Sequence, residues 1–119
     1  MAAGLDTDPS SYDHAVTRQH LEILRKSTDA KGRPLKVVVL PGPKSVRDQY
    51  ENEAFAAGYI KLYVCSGAVI APAFGDSRAD RNTRDTLVDL FPGREIIQLN
   101  IDVIAAGGGI HCSTREVPA

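Results

Sequence analysis

Gly58–Leu99 reads GYIKLYVCSGAVIAPAFGDSRADRNTRDTLVDLFPGREIIQL, and its punctuation predicts strand, strand, helix, strand in that order. Tyr59 to Cys65 and Ala68 to Ala71 are two apolar runs separated by Ser66-Gly67, the two-residue spacing of a tight hairpin. Pro72 to Asp76 leaves the sheet, and Asp76 or Ser77 offers a side-chain oxygen to cap a helix. In that helix Ala79, Thr83, Leu87, Leu90 and Phe91 fall on one stripe. Asp80 with Arg84 and Arg81 with Asp85 are spaced as i, i+4 ion pairs on the other side. Pro92-Gly93 stops the helix, and Arg94 to Leu99 is the next strand.

Upstream, Met1 to Pro9 is small and polar and reads as a mobile lead-in. Ser10 or Ser11 can cap a helix running to about Ser27, with Val16, His20 and Ile23 on one side and Leu21 and Leu24 widening the stripe. Asp29 to Pro34 is a turn punctuated by Gly32 and Pro34. Leu35 to Leu40 is an almost continuous apolar run, which suits a strand covered on both faces and ended by Pro41-Gly42-Pro43. Lys44 to Ala57 is polar and weakly patterned, a loop with room for a helical turn. The strand–strand–helix–strand unit is complete once. The start of the chain reads as the tail of a preceding unit and the end as the beginning of a following one.

The whole chain of 119 residues is enough for one domain with a modest core. A formal net charge of −1 leaves no electrostatic footprint for nucleic acid or an anionic membrane. The apolar runs are far short of a membrane span, and no basic and apolar leader opens the sequence. Two cysteines, Cys65 and Cys112, are too few for a disulfide framework and fit no zinc spacing, so a reducing, cytoplasmic setting is the default expectation.

Downstream, Asn100–Ala119 reads NIDVIAAGGGIHCSTREVPA. Gly107 to Gly109 remove three β-carbons in a row, which lets a ligand or another strand approach closely. Ile110 to Thr114 reads as extended, so Cys112 is a thiol at the end of a glycine-lined approach, with Gly108 and Gly109 as candidate substrate-binding positions. In a strand His111 and Cys112 point to opposite faces, so His111 is poorly placed to be the base for Cys112. The same residues also read as a flexible glycine loop beside a small buried cysteine.

Four ordered stretches carry a family resemblance: Thr28 to Leu35 (TDAKGRPL), Gly67 to Asp76 (GAVIAPAFGD), Leu90 to Glu95 (LFPGRE) and Gly107 to Ala119 (GGGIHCSTREVPA). Together they resemble the agmatine deiminase and bacterial, Porphyromonas-type peptidylarginine deiminase family, over a span from about His20 to Pro118. The resemblance implies an α/β fold, a partial pentein-type α/β propeller of about two ββαβ blades with mixed sheets, the chain being a single domain from the C-terminal part. It implies a hydrolase whose cysteine, Cys112 here, attacks the guanidine carbon of agmatine or peptidylarginine. Ammonia leaves, and a thiouronium intermediate is hydrolysed to the carbamoyl or citrulline product. No cofactor and no metal are implied. The implied partners are a small guanidine substrate and either further copies of the chain, as a homo-oligomer, or the complement of a missing N-terminal part.

That chemistry needs more than a thiol. A free cysteine titrates near 8.5, so a cation or dipole must favour the thiolate. A histidine must move protons in both half-reactions, and carboxylates must clamp the guanidinium. In the resembled family the histidine sits in an upstream Gly-His-x-Asp motif, which this sequence lacks. His14 and His20 read as surface and helix-face residues, Cys65 as core, Asp76 as a cap, and Asp102 as a turn residue or a flank of the site. Arg115 and Glu116 replace amides that follow the cysteine motif in the family. A non-catalytic oligomerising or interaction module is the alternative reading.

Overall fold

The hydrophobic centre is assembled between a small mixed sheet and one helix. In a computed structural model, which describes residues 1–50, 55–106 and 108–117, the strands are β1 (Ala2–Leu5), β2 (Val38–Pro41), β3 (Tyr63–Val64), β4 (Ala68–Ala73) and β5 (Glu95–Asn100). The helices are α1 (Asp13–Lys26), α2 (Ser77–Leu90) and the one-turn α3 (Asp102–Ala105) and α4 (Ile110–Ser113). One sheet has the order β3-β4-β5, with β3 antiparallel and β5 parallel to β4. The other pairs β1 with β2 in parallel. Val69, Ala71, Phe74, Leu87 and Ile96 are buried between the first sheet and α2, and Leu40 and Tyr59 join them from the flanking segments.

The unit from β3 to β5 is therefore the complete ββαβ unit that the sequence predicts. Its turn is set at Cys65, whose N–H donates to the Ala68 carbonyl across Ser66-Gly67 at 3.0 Å. Asp76 caps α2: its carboxylate accepts from the N–H groups of Arg78 and Ala79 at 3.2 and 3.0 Å and, across the chain, from the Lys44 N–H at 3.0 Å. These bonds, led by that from Ala79, hold the Asp76 carboxyl below the usual carboxylate range. A carboxyl depressed in the folded state adds stability above its unfolded value of 3.8 and loses it as pH falls through the folded value. Asp76→Ala is thus expected to cost about 1 kcal/mol in urea denaturation at neutral pH. The gap to the parent should close in acid; a gap that is constant down to acid pH rules the cap out as the cause.

Five expectations are corrected. The lead-in Met1 to Pro9 is not a loose end: Ala2–Leu5 pairs with Val38–Pro41, α1 packs on it, and the Thr17 hydroxyl accepts from the Asp6 N–H at 3.2 Å. The strand expected over Leu35 to Leu40 begins only at Val38. Of the expected α1 stripe Leu21 is buried, but His20 is exposed and Ile23 is 56% exposed. The hairpin's first arm is strand only at Tyr63–Val64; Tyr59 turns into the core instead. The segment Ile110 to Thr114 is a helical turn, not a strand, so the chain ends in two short helices rather than the start of another strand. Gly109, at φ +157° and ψ −158°, is still extended; the turn starts at Ile110, and the Ser113 N–H reaches back to the Gly109 carbonyl at 3.1 Å. The Thr114 hydroxyl donates to the Ile110 carbonyl at 2.8 Å, closing the turn. Burial of Ile110 outweighs the strand preference of its β-branched side chain.

Candidate active site

Parallel strands present their carboxyl ends to the same edge, and in open α/β sheets ligands bind there. In this chain β4 and β5 both run into that edge. After β4 come Phe74-Gly75-Asp76; after β5 come α3, the glycine link and α4 with Cys112. The register Tyr63↔Ile70 brings the residues just before β3 to the same edge, so Lys61 arrives there from a third direction.

Arg47 ties these arrivals together. Its guanidinium donates to the Ala73 carbonyl at 3.2 Å and to the Asp102 carboxylate at 2.5 Å. Its stem lies over Gly75, where a β-carbon would stand 3.0 Å from Arg47 Cγ. Gly75 has φ +95°, a backbone conformation that strains any side chain. Asp102 is only 2% exposed, and its Oδ1 has no hydrogen-bond partner among the described residues. Asp102 is therefore a buried counter-charge that fixes the start of α3, a role sequence reasoning left open between turn residue and flank of the site.

Behind this edge, Asp80 organises the β4–α2 connection. Its carboxylate accepts from the Tyr59 hydroxyl at 2.7 Å and from the N–H groups of Phe74 and Gly75, each at 3.0 Å. The expected Asp80–Arg84 and Arg81–Asp85 pairs are absent: the ion pairs among the described residues are Arg33–Asp29 and Arg47–Asp102. Burial, and then the Asp80 bond, push the Tyr59 phenol well above its ordinary value, so it stays a neutral donor.

Cys112 is exposed and reduced, on the single turn of α4. Gly108 lies directly against it: a β-carbon there would come 2.9 Å from Cys112 Cβ and 3.3 Å from Sγ. Gly109 lies against Lys61, whose Cβ and Cδ would each be 2.8 Å from an added β-carbon. The two glycines thus seat two side chains at once, one on each side of the link; Gly107 lies outside the described residues. The Lys61 ammonium donates to the carbonyls of Ala56 at 2.7 Å and Ala105 at 3.2 Å. Burial pushes this ammonium below the ordinary lysine value, and a charged Cys112 sulfur opposes that shift. Sequence reasoning missed Lys61 because it lies 51 positions before the cysteine (61 against 112) in a run that reads only as strand.

His111 is exposed and lines a shallow hollow with Tyr63, Thr114, Arg115 and Glu116. It neighbours Cys112 on a helical turn, about 100° round the axis, so the strand argument that separated the two no longer applies. His14 and His20 sit on α1; Cys65 is half-buried at the hairpin turn, its thiol donating to the Ala68 carbonyl at 3.3 Å. Among the described residues no cluster of three His, Cys, Asp or Glu side chains is placed to hold a metal, and no helix is long and apolar enough to cross a membrane.

Comparison of the chain with known families and structures bears on the fold and the family. The family of Porphyromonas-type peptidyl-arginine deiminases matches residues 1–118. The chain belongs to that family. A Streptomyces coelicolor protein provisionally named agmatine deiminase is 43% identical over 112 residues, covering 93% of this chain and 32% of that protein. A Legionella pneumophila protein with the same provisional name is 35% identical over 112 residues, again 93% of this chain and 32% of the relative. Among solved structures, the agmatine deiminase of Enterococcus faecalis superposes with a TM-score of 0.77 at 28% identity, covering 92% of this chain and 34% of that one. The C. jejuni agmatine deiminase shares the fold, with a TM-score of 0.69 at 22% identity over 94% of this chain and 33% of that one. The chain therefore has the α/β fold of a partial deiminase propeller, and spans about a third of the length of the relatives it matches. Its complete unit, β3 to β5, is preceded by a β1–α1–β2 unit.

Proposed function

We propose that this chain is the nucleophile-bearing C-terminal portion of a guanidine deiminase, and that Cys112 is its nucleophile. The thiolate adds to the planar guanidinium carbon of agmatine or peptidylarginine. The carbon–nitrogen bond breaks, and ammonia leaves with a proton delivered by a general acid. The thiouronium so formed takes up water, the carbon–sulfur bond breaks, and the carbamoyl or citrulline product departs as the thiolate is restored. Gly108 and Gly109 keep side-chain bulk off the approach to the sulfur. The proton-moving imidazole and the guanidinium-clamping carboxylates come from the other two thirds of the family fold, and no cofactor enters. The observation that carries this reading is the exposed Cys112 in a chain of this family. The setting we assign is the reducing cytoplasm, in keeping with two free thiols.

The test is to assay ammonia and citrulline-type product from agmatine and from a peptidylarginine. The chain is used alone and together with the complementary two thirds of the Streptomyces coelicolor relative. Product is expected with the complement, and Cys112→Ala should abolish it. No product from either substrate in the complemented mixture overturns the proposal.

A second reading, an interaction module, is favoured by the apolar surface beside this edge. Val103 is 83% exposed, and Leu99 and Ile104 are also exposed. With the open edge of β5, they suit pairing with another copy or with the complementary part. Sedimentation is expected to show a homo-oligomer of the isolated chain; a stable monomer at micromolar concentration counts against self-association.

A further inference from the structure

A cavity of about 430 Å³ lies beside the carboxyl ends of β1, β2 and β4, and neither Cys112 nor His111 nor Lys61 borders it. That volume is ordinary for a small-molecule site. Thr7 follows β1, Pro41 and Gly42 end β2, Asp76 follows β4, and α2 supplies the facing wall. The rim is tied by backbone bonds: the Gly42 N–H donates to the Leu5 carbonyl at 2.9 Å, and the Lys44 N–H to the Asp76 carboxylate at 3.0 Å.

Thr83 is what marks this cavity as more than a gap. It is 2% exposed and sits on the buried stripe of α2, where a valine of the same shape would leave no hydroxyl to satisfy. The Thr86 hydroxyl, one position on along the same wall, donates to the Asn82 carbonyl at 2.9 Å. The Thr83 hydroxyl makes no such bond and has no hydrogen-bond partner among the described residues. The unpartnered side-chain oxygen that is sealed from solvent is Asp102 Oδ1, so the Thr83 hydroxyl keeps an opening, and the cavity that Thr83 borders provides it.

Charge at the rim gives the sign of the ligand. Lys44 and Arg78 are exposed there, and neither side chain is in an ion pair or hydrogen bond among the described residues. The Asp76 carboxylate on the same wall is already committed to three backbone N–H groups, two of them from the first turn of α2. The helix end is therefore capped, and the donors left for a ligand are the two cations and the Thr83 hydroxyl. We propose that this cavity binds a small phosphate monoester, its head between the Lys44 ammonium and the Arg78 guanidinium and its hydroxyl-bearing body against Thr83, over the apolar floor of Leu40 and Ala79. A phosphate monoester carries a charge of about −1.5 to −2 at neutral pH, which matches two cations. An arginine fork and a lysine point charge are both suited to its oxygens. The site is separate from Cys112 and does not depend on the deiminase reading.

The test titrates the isotopically labelled chain with glycerol 3-phosphate, inorganic phosphate, glycerate and glycerol, following the Ala79, Asn82 and Thr83 amides by NMR. Glycerol 3-phosphate should shift these amides saturably, and more tightly than the other three. Lys44→Met combined with Arg78→Met, both at exposed positions, should weaken it about tenfold or more. Thr83→Val should weaken it roughly threefold, the worth of one hydrogen bond, without lowering the urea midpoint, because the hydroxyl it removes has no partner in the fold. No saturable shift with glycerol 3-phosphate overturns the proposal, as does equal binding of glycerol. Inorganic phosphate binding as tightly reduces the site to one for the free ion and overturns the ester; tighter binding of glycerate overturns the phosphate head. Parental affinity in Thr83→Val, or a lowered urea midpoint there, overturns the role given to its hydroxyl.

Discussion

Arg47→Met should destabilise the chain by about 3 kcal/mol or more, because it leaves a buried carboxylate without its counter-charge. Asp102 has a side chain only 1% exposed, and one of its oxygens has no partner among the described residues even with Arg47 present. Removing the guanidinium strips the other oxygen of its charged donor and the Ala73 carbonyl of a bond. The penalty is that of an uncompensated buried charge, larger than the worth of the pair itself. A double variant, Arg47→Met with Asp102→Leu, should recover most of the loss, since replacing both partners by apolar groups is often close to neutral. Urea denaturation of the four proteins of this cycle checks both claims. An Arg47→Met change below about 1 kcal/mol would mean that Asp102 finds water or another donor, and would place the pair among weak surface bridges.

The second large effect is at Asp80. Asp80→Ala orphans three donors in one step: the Tyr59 hydroxyl and the N–H groups of Phe74 and Gly75. Tyr59 and Phe74 are buried, so water cannot replace the lost acceptor cheaply. At about 1 kcal/mol or more for each of these two buried groups, the cost should reach about 2 kcal/mol or more, the Gly75 N–H being at an exposed residue where water can replace the acceptor. Asp80→Asn keeps one oxygen but turns an amide donor toward another donor, and should fall between the parent and Asp80→Ala. Tyr59→Phe removes a single bond and should cost about 1 kcal/mol. Hydrogen exchange at the Gly75 amide should quicken in Asp80→Ala and stay close to parental in Tyr59→Phe. Equal denaturation midpoints for Asp80→Ala and Tyr59→Phe would show that the backbone bonds contribute nothing.

Both predictions fall on residues whose roles the sequence could not state. Asp80 lies four residues before Arg84 on an amphipathic helix, and spacing favours that local ion pair. The folded chain instead offers three donors from the turn before the helix and from Tyr59, a choice made by proximity after β4 and α2 have packed. Arg47 and Asp102 are 55 residues apart, one in a polar loop and one after a strand. Ile110 to Thr114 carries strand-forming residues, yet Ile110 to Ser113 winds into a helical turn that carries Ile110 into the core.

What the sequence determined by itself was what depends on neighbours within one turn of chain: the Ser66-Gly67 hairpin, the Asp76 cap, the Thr83–Leu87 stripe, the ββαβ order and the motifs that mark the family. Backbone conformation and hydrophobic period act over a few residues, so they can be read without coordinates. The tertiary structure alone decided the pairing of Ala2–Leu5 with Val38–Pro41, the Arg47–Asp102 clamp, and the packing of Lys61 on Gly109 beside Cys112 on Gly108. Those contacts join segments tens of residues apart, and their charge and burial exist only once the packed strands and helices have excluded water from between them.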